Sequence, residues 1–249
     1  MMLNDDVELL AGMPIAYIRS LNMLATADLH LGYEGVMAKT GTLVPKVNLK
    51  KITEALGKAI KETGANKVLV NGDIKNEFSK VDVEEFNELY DFIAFVKEQN
   101  AHLILVKGNH DNFVERYREP FNLEIYRQET LFGGYLFFHG EELPTVVSKH
   151  AKMLVMGHEH PAIAIYNAIG RKEKLRCFLH GEYKGKELLV LPAMNYFASG
   201  TEVNLHRREE LLSPIFKHTD VDRMHAIAIG YGSTMDFGEI GKLRSAAYE

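Results

Sequence analysis

Cysteine is almost missing from this 249-residue chain: Cys177 is the single one, and tryptophan does not occur. A lone thiol excludes an internal disulfide and a thiolate-based zinc site, so any metal must be held by His, Asp, Glu or Asn. Long apolar runs are lacking too, since none approaches the ~20 residues a membrane helix needs. The N-terminus, MMLNDDVELLAG, carries acids where a secretion signal would carry Lys or Arg, so a soluble, cytoplasmic protein is expected. There is no excess of positive charge. A net charge of −5 argues against a broad electropositive footprint for duplex DNA, because that affinity rests on neutralising many phosphates. Repeats, low-complexity tracts and Pro/Gly/Ser linkers are absent, and 46% apolar residues suffice for one sizeable core. One domain spanning 1–249 is expected.

What is present is a recurring pattern: a short apolar run that ends in a polar cluster. LNMLATA leads into Asp28-Leu29-His30, KVLVN into Gly72-Asp73, HLILVK into Gly108-Asn109-His110-Asp111, GYLFF into His139-Gly140, and KMLVM into Gly157-His158-Glu159-His160. Such runs predict buried strands. Between them, Pro45 is placed to start a helix with Val47, Ile52, Leu56, Ala59 and Ile60 on one stripe and Gly64 as its stop. Asp82 is placed to cap a second helix, with Glu85 three residues on and Val83, Phe86, Leu89, Ile93 and Val96 at helical spacing. Alternating strand and helix predicts an α/β fold with a partly parallel sheet, whose functional loops gather at the carboxyl ends of the strands. After roughly residue 161 short strands take over, AIAIY, KLRCFL, KELLVL and AIAIG, which predicts a second, more antiparallel sheet.

Mixed carboxylate, amide and imidazole donors suit divalent metals. Two such ions can share a carboxylate and a hydroxide, a strong nucleophile near neutral pH. Taken singly, each cluster also has an ordinary reading: Gly-Asp is a common turn, Asp-x-His a common pair, and a histidine after a strand a common core residue. Taken jointly the balance reverses, because all five clusters follow apolar runs and five of the eleven histidines fall inside them. His102, His150, His180, His206, His218 and His225 have no such company and are read as structural.

In order and spacing, D-L-H, G-D, G-N-H-D, H-G and G-H-E-H resemble the complete signature of the calcineurin-like metallophosphoesterases. ATADLHLGYE, NGDIKNEF, VKGNHDN, MGHEHPAI and LPAMNYFASGTEVN further resemble archaeal phosphoesterases related to the bacterial ligase-associated DNA endonucleases, over nearly the whole chain. The resemblance implies a four-layer αββα sandwich, two mixed β-sheets flanked by helices. It implies that Asp28, His30 and His160 hold one metal and Asn109, His139 and His158 the other, with Asp73 between them. It also implies that His110 protonates the leaving oxygen while Asp111 orients or tunes it, a role that suits an imidazole. The ions implied are two divalent metals, Mn²⁺ first, with Fe²⁺, Zn²⁺ and Ni²⁺ also suited. Two departures bear on substrate positioning: Glu141 stands where many relatives carry a second His, and Asn76 where an acid or His is common.

The expected reaction is hydrolysis of a phosphate ester, foremost a phosphodiester, with single-stranded or damaged DNA as a class of substrate. A phosphomonoesterase, a cyclic-nucleotide phosphodiesterase and a nucleotide pyrophosphatase use the same core. A non-catalytic scaffold of this fold would be expected to lack at least one ligand, and none is lacking. Lys75, Phe78, Lys80, Arg116, Arg118 and Tyr33 are candidates for contacts to nucleic acid. Pro192-Ala193-Met194-Asn195-Tyr196 reads as packing beneath the site, Arg171–Lys174 as a charged turn, and C-terminal sheet edges could support a dimer.

Overall fold

Every central strand is buried on both faces, which is why the strands read as continuous apolar runs. The computed structural model describes residues 1–78, 83–145, 147, 149–167, 169–230 and 232–246; Lys80 and the helix cap expected at Asp82 lie outside them. Among the described residues, the first sheet has the order β1 (Val7–Leu9), β2 (Ala16–Ile18), β3 (Met23–Thr26), β4 (Lys67–Asn71), β5 (His102–Val106) and β6 (Glu124–Tyr126). β3 to β6 run parallel, and β1 and β2 are added antiparallel.

The second sheet contains β7 (Glu129–Phe132), β8 (Tyr135–Phe138), β9 (Met153–Met156), β10 (Pro161–Tyr166), β11 (Lys172–Tyr183), β12 (Lys186–Val190), β13 (Thr201–Glu202), β14 (His225–Gly230) and β15 (Ser233–Glu239). Its order is β13-β10-β11-β12-β9-β8-β7, with β14 pairing β11 and β15. It is mixed, because β8, β9 and β12 are parallel neighbours within an otherwise mostly antiparallel sheet.

Alternation by one residue sorts the core into three layers. Leu24, Val68, Val70, Leu103 and Leu105 face α2 (Asn48–Thr63) and α3 (Val83–Glu98), which follow the short α1 (Tyr33–Lys39). Their neighbours Met23, Ala25, Leu69, Ile104 and Val106 face the second sheet, where Phe137, Met153, Val155 and Leu189 meet them. Leu136, Leu154, Leu188 and Val190 point outward and are covered by Ile215, Phe216, Val221 and Ile240. The αββα sandwich is therefore present, but its fourth layer is made of short 3₁₀ turns over 208–210, 214–218 and 221–223 together with a later helix over 240–246.

Three expectations are corrected. The second sheet begins at Glu129, well before residue 161, so β8 and β9 with their His clusters belong to it rather than to the first sheet. The helix expected from Pro45 begins at Asn48, because its first amides, Val47 and Asn48, are capped by the buried Glu34 carboxylate at 3.0 and 2.8 Å. Lys172, Glu173 and Lys174 are strand residues of β11 rather than a turn. Gly64 ends α2 as expected, with φ of 69°. Among the described residues no helix is long and apolar enough to cross a membrane.

Candidate metal centre

The first sheet brings Asp28 and His30 from the end of β3, Asp73 from β4, and Asn109, His110 and Asp111 from β5. The second brings His139 from β8 and His158 and His160 from β9. Backbone bonds knit the loops: Asp28 N–H donates to Gly72 O at 3.0 Å and His30 N–H to Asp73 O at 2.9 Å. Asn71 joins the sheets, its side-chain amide donating to Phe138 O at 3.1 Å and Val155 O at 3.0 Å. Asp28, His30, Asp73, His158 and His160 adopt positive φ of 58°, 44°, 50°, 67° and 49°. Left-handed backbone is disfavoured by roughly 1 kcal/mol or more at each such residue, so this clustering marks a place where the surroundings impose geometry.

The glycines of the motifs have a packing reason. A Cβ on Gly72 would lie 1.9 Å from His139 Nδ1, one on Gly108 2.3 Å from Asp73 Oδ1, and one on Gly157 2.9 Å from Asp28 Oδ2. Each ligand side chain passes against bare backbone.

Two ligand sets lie side by side, Asp28, His30 and His160, and Asp73, His139 and His158, and a third donor group, His30, Asp73 and His110, overlaps both. His160 Nε2 is 3.3 Å from Asp28 Oδ1, and His30 Nε2 lies 3.5 Å from His160 Nε2. Asp73 Oδ2 reaches both sets, at 3.8 Å from His30 Nε2 and 3.3 Å from His139 Nε2. His139 donates Nδ1–H to the Asn71 carbonyl at 3.0 Å, which turns Nε2 toward Asp73.

Charge is tightly balanced here. Burial opposes ionisation of Asp28 and Asp73, yet the surrounding histidines outweigh it and hold both carboxyls below the usual range. Burial would lower His139, but Asp73, Asp28 and Glu141 raise it to about 10. Burial prevails at His30 and His158, which fall to about 4 and are neutral imidazoles at neutral pH, the form that binds metals.

His110 stands next to this pair of sets. Its backbone N–H donates to Asp73 Oδ1 at 2.9 Å, its ring donates through Nδ1 to the Asn76 carbonyl at 2.7 Å, and it meets His30 edge-on at 4.9 Å between centroids. Asp111 does not orient that imidazole. Its buried carboxylate accepts the amides of Gly108 at 2.8 Å, Ile74 at 3.0 Å and Lys75 at 3.3 Å, so it ties the β4 and β5 loops together. Burial and Asp73 push its pKa up to about 7, against the Gly108 and Lys75 amides and the His139 charge.

The 192–196 segment also differs from expectation. Met194 N–H donates to Ala27 O at 2.8 Å and Asn195 N–H to Asp28 O at 3.0 Å, while Asn195 Nδ2 donates to Leu29 O at 3.2 Å. The segment buttresses the Asp28–His30 loop directly. Asn48 supports the same loop, donating to Leu29 O at 3.0 Å and accepting from Tyr196 N–H at 2.9 Å. Sequence reading passes over Asn48, Asn71 and Glu34; an Asn ending a buried strand, as Asn71 does, was the available signal.

Of the nucleic-acid candidates, Lys75 is withdrawn. Its buried ammonium is bound by the Glu77 carbonyl and by Glu85 Oε1 at 3.2 Å, and Glu85, expected to cap α3, also accepts the amides of Asn76 and Glu77. Arg118 donates to Ile125 O at 2.7 Å and Arg116 lies over the Phe113 ring at 5.1 Å. Phe78 and Tyr33 do stand at the site, Phe78 edge-on to His110 at 4.8 Å and Tyr33 in the cleft beside His30. The other histidines lie elsewhere, with His102 on Glu124 and His225 on Asp236.

The sequence profile of the calcineurin-like phosphoesterases matches residues 21–222, most of the chain and every loop of the site. The chain belongs to that family. Among solved structures, a nuclease termed MPE from Pseudomonas putida superposes with a TM-score of 0.64 at 18% identity, over 92% of this chain and 94% of that one. The phosphoesterase Yfce from E. coli is a looser match, with a TM-score of 0.43 at 16% identity, over 85% and 95% of the two chains. Among curated proteins no sequence relative was found.

A calcineurin-like phosphoesterase is a hydrolase of phosphate esters with a dinuclear metal centre, and the donors here fit one. His139 Nε2, Asn109 Oδ1 and His30 Nδ1 are buried without a hydrogen-bond partner, a costly arrangement for polar atoms unless a cation meets some of them.

Proposed function

We propose that this phosphoesterase hydrolyses phosphodiesters. Two divalent ions, Mn²⁺ by analogy with the family or else Fe²⁺, Zn²⁺ or Ni²⁺, would be held by Asp28, His30 and His160 and by Asn109, His139 and His158, with Asp73 shared. The observation that carries the reading is Asp73 Oδ2, within 3.8 Å of His30 and 3.3 Å of His139, one carboxylate oxygen serving both ligand sets. When bound, the ions would supply Lewis acidity at the phosphoryl oxygens and an activated water.

The chain's own residues then do the following. Asp28, in contact with His160 and His139, and Asp73 hold the donor set in register. His110, its Nδ1–H fixed on Asn76, gives the leaving oxygen a proton from Nε2 when the ring carries protons on both nitrogens, and is left as the neutral Nδ1–H tautomer. A diester is favoured over a monoester because the cations beside the loops are engaged, buried Lys75 by Glu85 and half-buried Arg176 by the carbonyls of Ala193 and Asn195. They are not available for the second negative charge of a monoester dianion. The nuclease described for the Pseudomonas putida neighbour agrees in kind with this reading, and single-stranded or damaged DNA is the proposed polymer.

The test is a panel in Mn²⁺ of bis(p-nitrophenyl) phosphate, p-nitrophenyl phosphate, and single-stranded and duplex oligonucleotides. The diesters should be the better substrates, and Asp73→Asn should lower turnover on the order of a thousandfold or more while reducing bound metal. Preference for the monoester, or full activity of Asp73→Asn with metal content unchanged, would overturn the proposal.

A further inference from the structure

Beside the metal ligands lies a cleft of about 370 Å³, opening on the His30 and His160 side. Its wall is aromatic. Tyr33 stacks on Phe197 with centroids 5.6 Å apart and planes within 15°, and outside the lining Tyr196 meets Phe197 edge-on at 5.3 Å while remaining 50% exposed. Across His30, the ring of Phe78 leans on His110 and is 47% exposed. Neither Tyr33, Phe78, Tyr196 nor Phe197 belongs to the three buried cores, so none is placed by core packing. Large rings left at a mouth forgo part of the free energy that burial would give, and such placement marks a binding surface.

The chemistry of the cleft is selective. Among the described residues that line it there is no Lys or Arg, so ion pairing with phosphates is not its means of attraction. Its far side is the short-side-chain run Ala198-Ser199-Gly200, where a Cβ on Gly200 would lie 2.4 Å from His160 O. Close backbone on one side and stacked rings on the other bound a cleft of a size that takes a flat group next to the metal ligands. A duplex keeps its bases inside the helix and offers no such group, whereas an unpaired base has two free faces.

We propose that this cleft is a subsite for an unpaired nucleobase carried by the scissile phosphodiester, held by stacking on the outer face of the Tyr33–Phe197 pair rather than by charge. The proposal rests on the phosphodiester reading above, and it predicts single-strand selectivity with weak salt dependence, as expected where few phosphates are neutralised.

The test has a binding arm and a kinetic arm. Metal-free protein is titrated with a single-stranded trinucleotide containing 2-aminopurine, a signal unobscured because the chain has no tryptophan. Saturable quenching is expected, with Kd little changed between roughly 50 and 200 mM salt. Kd should rise on the order of tenfold or more in Phe197→Leu and Tyr33→Leu, and be restored in Phe197→Tyr. Thermal melts verify that the leucine variants fold. In Mn²⁺, the ratio of kcat/KM for thymidine 3′- or 5′-(p-nitrophenyl phosphate) to that for methyl p-nitrophenyl phosphate should fall in parallel, through KM. Folded leucine variants that bind within about twofold of wild type, or binding that collapses with salt, would overturn the subsite. If wild type cleaves the methyl ester with no thymidyl preference and binds no trinucleotide, the subsite fails while the phosphodiester reading stands. If it binds the trinucleotide but cleaves no diester, the subsite stands and that reading fails.

Discussion

His110 is held by its Nδ1 on the Asn76 carbonyl, which leaves Nε2 as the nitrogen able to exchange a proton. If that proton goes to the leaving oxygen, the penalty for losing it must scale with how badly the leaving group needs it. His110→Asn is therefore expected to lower kcat/KM by roughly 10²–10⁴-fold for alkyl or nucleoside leaving groups and far less for p-nitrophenol. Equal losses across a leaving-group series would assign His110 to substrate binding instead. The glycines explain why short motifs are informative at this scale. Gly72, Gly108 and Gly157 accompany the ligands because a Cβ would occupy the space of His139, Asp73 and Asp28. That adjacency is a property of the sequence; the reason for it lies in the packing.

At the level of elements, the segment after β12 joins the two halves of the site. Asn195 is buried and accepts the amides of Phe197 at 2.7 Å and Ala198 at 3.1 Å while donating to Leu29 O. It sets both the Asp28–His30 loop and one wall of the cleft. Asn195→Ala is expected to cost about 1–3 kcal/mol in stability, from stranded buried amides and carbonyl. It should also weaken metal binding, measured by chelator competition, more than a core variant of equal stability cost does. Normal metal affinity in that variant would leave Asn195 with packing alone. Strand ends and helix stripes were legible because apolar periodicity is local. The start of α2 was not, because its capping carboxylate, Glu34, comes from an earlier helix.

The whole molecule is two sheets closed on each other; Asp6 senses that closure, and Cys177 senses the layer packed outside the second sheet. Asp6 accepts hydrogen bonds from Ser20 N–H and Oγ–H at 2.7 and 2.6 Å and from the hydroxyl of Tyr135, on the second sheet, at 2.6 Å. Burial is the largest single influence and opposes its ionisation, but these bonds together, with the nearby Lys152 charge, outweigh it and hold its carboxyl below the usual value. A depressed carboxyl stabilises the fold above its unfolded pKa, and the contribution is lost as pH falls through the folded value. Asp6→Asn should thus lower Tm at neutral pH by roughly one to a few degrees, with the difference vanishing in strong acid. A gap that persists at low pH would mean the carboxylate charge is irrelevant. Cys177 is fully buried in the second-sheet core, and burial alone pushes its thiol pKa up. Native protein should resist iodoacetamide, with labelling appearing only as the chain unfolds. Rapid labelling of folded protein would show that this core opens locally.

By itself the amino-acid sequence determined the strands, the polar clusters at their ends and the donor chemistry available, because periodicity and residue type are local properties. Order and spacing of Asp28, His30, Asp73, Asn109, His139, His158 and His160 were enough to bring in the family. Tertiary structure alone decided that β8 and β9 lie in the second sheet, so that the site is assembled across two sheets with Asp73 reaching both ligand sets. It also decided that Lys75 is sequestered on Glu85, that Asp111 serves the loops rather than His110, and that Asn195 supports the site. The reason is the same in each case: sheet membership, burial and hydrogen-bond partners are set by residues distant in sequence, and no local pattern encodes which of them will meet.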